Sequence, residues 1–203
     1  HDELRRQRQM CIRDRLEKVL LNHVMVDMIR YSAFETGYYK TAAQYINGST
    51  MNNLSMHIEQ VNMRVTLNGE SRITQGNVFA SNGIIHSIDR VIPIPSIVTF
   101  AKADKNLTNL LTALTRSDLT VDFASILSTN IGTSPAPFTV FAPVNQAFTD
   151  LLAELNLSSL SEIDEPTLKA TLTYHVIGDA NVYSTDLSDN LQLNTLGGPI
   201  TAN

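Results

Sequence analysis

The chain has 203 residues with 43% hydrophobic and 17% charged side chains, a globular composition with enough apolar material for a core and not that of a disordered tail. Its net charge of −5 is uneven: residues 1–15 carry +2 and the remainder −7, so the body lacks the basic footprint that phosphate contacts require and nucleic acid is not expected as a partner. The one cysteine, Cys11, excludes an intrachain disulfide and a thiolate metal site, and no stretch approaches the roughly 18 apolar residues that span a bilayer.

Residues 1–15, HDELRRQRQMCIRDR, show no sustained apolar periodicity and are expected to be a foreign or disordered basic leader. The start at His1 without an apolar segment behind the arginines shows no signal peptide, and the chain reads as a piece of something longer. Residues 16–25, LEKVLLNHVM, have a helical pattern. Strand signals follow: Met63, Val65 and Leu67 alternate, and Asn68-Gly69 offers a type I′ hairpin turn leading to Ile73. Val78 and Phe79 begin another extended run, Asn82-Gly83 opens a strand over residues 84–92, and Pro93 and Pro95 mark a boundary.

Beyond it the pattern turns helical. Leu107, Leu110, Leu111 and Leu114 hold amphipathic spacing, and Val121 to Leu127 reads as a short second helix. FTVFA, 138–142, fits a buried strand, and Phe148, Leu151, Leu152 and Leu155 predict a helix with Asn145 as its N-cap. Asp164-Glu165 before Pro166 reads as the start of the next helix. That helix, LKATLTYHVI (168–177), echoes residues 16–25: Leu16 matches Leu168, Leu20 matches Leu172, His23 matches His175 and Val24 matches Val176. Gly197-Gly198 reads as a turn.

Three of these motifs together resemble the fasciclin-like family: FTVFAPVNQAF (138–148) its first conserved block, Tyr174-His175 its Tyr-His motif, and NGIIHSIDRVIPIP (82–95) its second block. In the first copy of the repeat Asn22 stands where the motif has Tyr. The motifs run in the order Asn22-His23, second block, first block, Tyr174-His175. The resemblance therefore implies that 16–95 is the C-terminal part of one domain and 96–203 the N-terminal part of the next. The strands at 84–91 and 138–142 would each lack sheet partners, and the two parts are expected to combine into one permuted composite domain. The implied fold is α+β, a small β-sandwich or wedge flanked by several short helices. The implied role is non-enzymatic adhesion outside the cell, secreted or on its surface, binding a protein or polysaccharide of matrix or cell surface, with a structural spacer in a tandem array as the alternative.

No cofactor, metal or catalytic residue is expected. His23, His86 and His175 lack an HxH or HExxH pattern or a Cys partner, and His86 alternates with Ile84 and Ile88, so they read as half-buried structural histidines. Ser87 and Asp89 flank His86 but point to opposite faces of one strand, and no nucleophile elbow is present. Tyr174, His175, His23, His86 and Asp89 are the candidate adhesion or structural motif. Tyr31, Tyr38, Tyr39 and Tyr45 are the candidate surface aromatic patch, with core packing as the competing expectation.

Overall fold

The fold is described from a computed structural model, which covers residues 2–47, 50–129 and 133–203. The chain divides into two units, residues 1–95 and 96–203, each with its own core. The expected α+β class holds in both.

In the N-terminal unit a helix, α1 (Asp2–Asn22), leads through a 3₁₀ turn (Tyr31–Ala33) into five strands: β1 (Gly37–Asn47), β2 (Thr50–Val61), β3 (Arg64–Leu67), β4 (Ser71–Ala80) and β5 (Gly83–Ile88). The strands form one antiparallel meander in chain order. Residues 2–15, where disorder was one of two expectations, are helical and form the first turns of α1. Periodicity did not predict them because they lack an apolar face, yet Leu, Arg, Gln, Met and Glu dominate there and all favour helix intrinsically.

Turn chemistry sets the register. Leu67 O accepts from Glu70 N at 3.1 Å around Asn68 (φ 50°) and Gly69 (φ 72°), which is the expected type I′ turn. The preceding turn is of the same kind at Asn62 (φ 51°) and Met63 (φ 60°), between the paired Val61 and Arg64. Met63 thus sits in a left-handed turn position and not on the strand where alternation placed it. The strand expected over 84–92 ends at Ile88, and Asp89 closes it: its N–H donates to Arg72 O at 3.0 Å and its Oδ1 accepts from Arg72 N–H at 2.7 Å. A bulge in β4 around Gly76-Asn77 admits the Tyr31 ring, since a Cβ on Gly76 would lie 2.8 Å from it. The core comprises Phe34, Met56, Ile58, Val65, Leu67 and Ile92, with Met25, Ile29, Tyr31, Tyr39, Ile73 and Ile88 against it.

The C-terminal unit is mainly helical: α2 (Ile97–Ala103), α3 (Thr108–Leu114), α4 (Phe123–Ile126), α5 (Asn145–Glu154) and α6 (Glu165–Tyr174). Two short antiparallel pairs join them, β6 (Thr139–Val140) with β7 (Val176–Ile177), and β8 (Gln192–Thr195) with β9 (Gly198–Thr201). The strands expected to lack partners find them inside their own unit, β5 with β4 and β6 with β7. Val98, Leu110, Leu114, Phe123, Phe148, Ile163, Leu168 and Leu172 fill the core.

Asn145 does not cap its own helix; Val144 holds that position. Its side chain reaches the neighbouring helix instead. Oδ1 accepts from Asn109 N–H at 2.9 Å and from the Thr108 hydroxyl at 3.1 Å, and Nδ2 donates to Lys105 O at 2.8 Å. It therefore caps α3 from the start of α5 and ties the two helices together. Asp164 does cap α6, accepting from Thr167 N–H at 3.1 Å, and that bond lowers its pKa. Glu165 accepts from the Thr120 hydroxyl at 2.7 Å and from its N–H at 3.1 Å, and its pKa is likewise lowered.

Three outcomes follow for urea and pH titrations. Asn145→Ala, which leaves the α3 start uncapped, is expected to cost about 1–2 kcal/mol. Met63→Gly removes a side chain from a left-handed position and is expected to add about 1 kcal/mol; an unchanged midpoint would show that the turn is unstrained. Because Asp164 and Glu165 have lowered pKa values in the fold, their contribution is present above the ordinary values of 3.8 and 4.5 and is lost as pH falls through the lower folded values. Glu165→Gln should flatten that acid limb.

Candidate functional site

The end of α1 is held by the two residues that the repeat singled out. The carbonyl of Val19, one turn back on α1, lies 2.7 Å from His23 Nδ1, so this nitrogen carries the proton. Nε2 is then a lone-pair acceptor, and it receives the N–H of Ile92 at 2.9 Å. The preceding Asn22 is completely buried, and its Nδ2 donates to Pro93 O at 3.0 Å. Asn22 Oδ1 lies 3.3 Å from the hydroxyl of Thr41, also fully buried, which lies 3.2 Å from Leu54 O and has one proton for the two acceptors. This side-chain cluster clamps α1 to the segment that leaves β5.

The second histidine begins in the same way. His175 Nδ1 lies 2.8 Å from Thr171 O, the position equivalent to Val19. Tyr174 is half exposed, and its ring lies against the β8–β9 turn, where a Cβ on Gly197 would meet it at 2.8 Å. Tyr174 and Asn22 thus occupy one repeat position with different neighbours, a hairpin in one unit and a buried polar cluster in the other.

Beside the clamp lies an apolar groove of about 540 Å³. The segment from His23 to Ile29 forms one wall, and Phe34, Met56, Ile73, Ile84, Ile88 and Ile92 line the rest. His86 stands within it. Its Nε2 lies 2.9 Å from Ile29 O and therefore donates, Nδ1 lies 3.4 Å from Asn77 N, and the ring packs edge-on to Phe34 at 5.3 Å. His86 thereby holds the wall segment against the sheet.

The four tyrosines do not share one face. Tyr38 and Tyr39 alternate on β1. Tyr39 packs edge-on against Phe34 at 6.1 Å, and its hydroxyl engages Glu35. Tyr38 is 50% exposed and stacks edge-on against the ring of buried His57 at 4.9 Å. Tyr31 donates its hydroxyl proton to Met63 O at 2.6 Å and borders the core, and Tyr45 is half-buried. Asp89 lies at the sheet end, engaged with Arg72. The polar residues that sequence reasoning missed are Asn22, as a clamp group, and Thr41; an Asn in place of Tyr beside the repeated His was the available signal.

The Fasciclin domain family model matches residues 2–95 and again 105–202. Stabilin-2 of Rattus norvegicus is 26% identical over 141 residues, covering 66% of this chain and 10% of that protein. Periostin of Homo sapiens is 28% identical over 168 residues, covering 76% and 18%. A fasciclin-like arabinogalactan protein of Arthroderma benhamiae is 31% identical over 123 residues, covering 61% and 26%. The chain therefore spans only a minor part of each of these relatives. Among solved structures, a FAS1 domain pair from the insect cell adhesion molecule Fasciclin I matches with a TM-score of 0.50 at 17% identity, over 93% of this chain and 67% of that one.

Removing the clamp histidine tests its two-sided role. His23→Ala is expected to destabilise the N-terminal unit by about 2–3 kcal/mol, because it leaves both the Val19 carbonyl and the Ile92 N–H without their partner, whereas His175→Ala should cost about 1 kcal/mol. Unit-resolved hydrogen exchange reads both values. Equal losses would mean that the Ile92 bond contributes nothing.

Proposed function

This chain belongs to the fasciclin domain family, and on that footing we propose that it is a non-enzymatic adhesion or binding module that works outside the cell, secreted or at the surface. Its partner in this reading is a protein or polysaccharide of matrix or cell surface. Support comes from the solved relative, a domain pair of a cell adhesion molecule. His23, His86 and His175 point the same way: each of the three spends a ring nitrogen on a backbone carbonyl of the fold, which suits positioning rather than proton transfer. Among the described residues no helix is long and apolar enough to cross a membrane.

The observation that carries a binding role over a passive one is exposed apolar surface on the β4–β5 hairpin. Val78 pairs across to Ile85 on one face, and these side chains are 38% and 57% exposed. Phe79, paired with Ile84 on the other face, is 66% exposed. Ile84 and Ile85 also line the groove, so the groove borders the hairpin. In this reading the contact centres on that hairpin, with Tyr38 on β1 as a further candidate. The two successive family matches favour a second reading, a spacer in a tandem array.

One experiment separates the two. The protein is passed over immobilised fibrillar collagen, heparan sulfate and arabinogalactan, alone and as the Phe79→Asp/Ile85→Asp variant. A binding module should bind at least one surface, and the variant should lose about tenfold or more in affinity. Binding to none of them, or binding unaffected by the double substitution, would favour the spacer.

A further inference from the structure

Three Asn-Gly pairs occur in the chain, Asn47-Gly48, Asn68-Gly69 and Asn82-Gly83. Glycine has no Cβ to shield its backbone nitrogen, so in such a pair that nitrogen can reach the amide carbon of the preceding side chain. The first pair runs into residues outside those described. The other two lie in hairpin turns with opposite surroundings.

Asn68 is held in place. It is 3% exposed, its Oδ1 accepts from His57 N–H at 2.8 Å, and its own N–H donates to His57 O at 2.7 Å. Both bonds reach a buried residue of β2, so the Asn68 amide carbon moves only if the sheet opens. Asn82 is not held. Ser81 and Asn82 form the exposed turn between the paired Ala80 and Gly83, and a Cβ on Gly83 would meet nothing within 4 Å. The Gly83 N–H belongs to the first rung of the β4–β5 ladder, next to the exposed Phe79, so freeing it requires only that the hairpin tip fray.

We propose that Asn82 is a site of spontaneous modification at which the side-chain amide becomes a carboxylate. The Gly83 nitrogen gives up its proton and bonds to Asn82 Cγ; the bond from Cγ to Nδ2 breaks, and ammonia leaves with that proton. The resulting five-membered succinimide takes up one water at either carbonyl, which yields an aspartyl or an isoaspartyl residue with no change of oxidation state. The site follows from the turn and is independent of the adhesive reading. Its consequence rests on that reading: the turn joins the strands that carry Phe79 and Ile85, and a new negative charge there weakens an apolar contact.

The test holds the full chain at mildly alkaline pH and maps its peptides by mass spectrometry, with methyl transfer by an isoaspartyl methyltransferase as the label. Conversion is expected at Asn82 while Asn68 keeps its amide, and in urea both should convert. Gly83→Ala, whose Cβ has room and shields the nitrogen, should lose most of the label. An Asn82 that keeps its amide, or that converts no faster than Asn68 in the folded chain, would overturn the proposal. For the consequence, fresh and aged protein are passed over the three surfaces named above, beside Asn82→Gln, which cannot close the five-membered ring. Only the parent chain should lose binding with age, and equal loss in both would overturn the link to binding. Should the fresh chain bind none of the surfaces, the hairpin reading fails and the peptide map alone decides the site.

Discussion

Much of the N-terminal unit depends on one neutral imidazole. His23 turns its protonated nitrogen to the helix it ends and its lone pair to the chain beyond the sheet, so one ring joins two backbones that neither helix nor sheet hydrogen bonding would join. Asn22 repeats the connection one residue earlier, from a position with no solvent exposure. A buried amide gains most when its donor and acceptor are both engaged, and Asn22 has Pro93 on one side and Thr41 on the other. The path of residues 23–29 starts from this anchor, and with it the wall of the groove. His86 holds the far end of that wall at Ile29.

The same residue type in the second copy shows how a family motif separates into parts. The bond from histidine Nδ1 to the carbonyl four residues back is common to both units and belongs to the helix end itself. What the neighbouring position does depends on what lies beyond: Asn22 enters a polar cluster, while Tyr174 covers a glycine turn. In both places the histidine orients backbone.

Where local chemistry decided a structure, it could be read in the sequence. Asn68-Gly69 made its turn because both residues tolerate positive φ, and Asp164 with Pro166 started α6 because a carboxylate cap and a preset φ agree there. Helices α3, α5 and α6 followed from leucine spacing, while α2, which has no leucine, was not predicted. Residues whose role depends on distant partners were not legible. Asn145 looked like a cap for the helix it begins, but its amide meets residues 36 to 40 positions earlier. Met63 matched an alternating strand, although the two-residue turn before β3 had already claimed it. FTVFA reads as five strand residues, yet only Thr139 and Val140 pair, because β7 is itself two residues long. Tyr38 and Tyr39 adjoin in sequence and separate in the fold, since neighbours on a strand face opposite sides. The clamp at Asn22 was visible only as a departure from a motif.

The clamp also has a place in time. Its two bonds join residues 69 and 71 positions apart, with the whole meander between them. Closing a flexible loop of that length costs about 4 kcal/mol before any contact is made, more than the pair of hydrogen bonds returns on its own. The hairpins, with turns of a few residues, shorten that loop step by step as each strand is added. The clamp therefore engages only after β5 has been laid down, and it serves as a latch that records a finished sheet and does not help to start one.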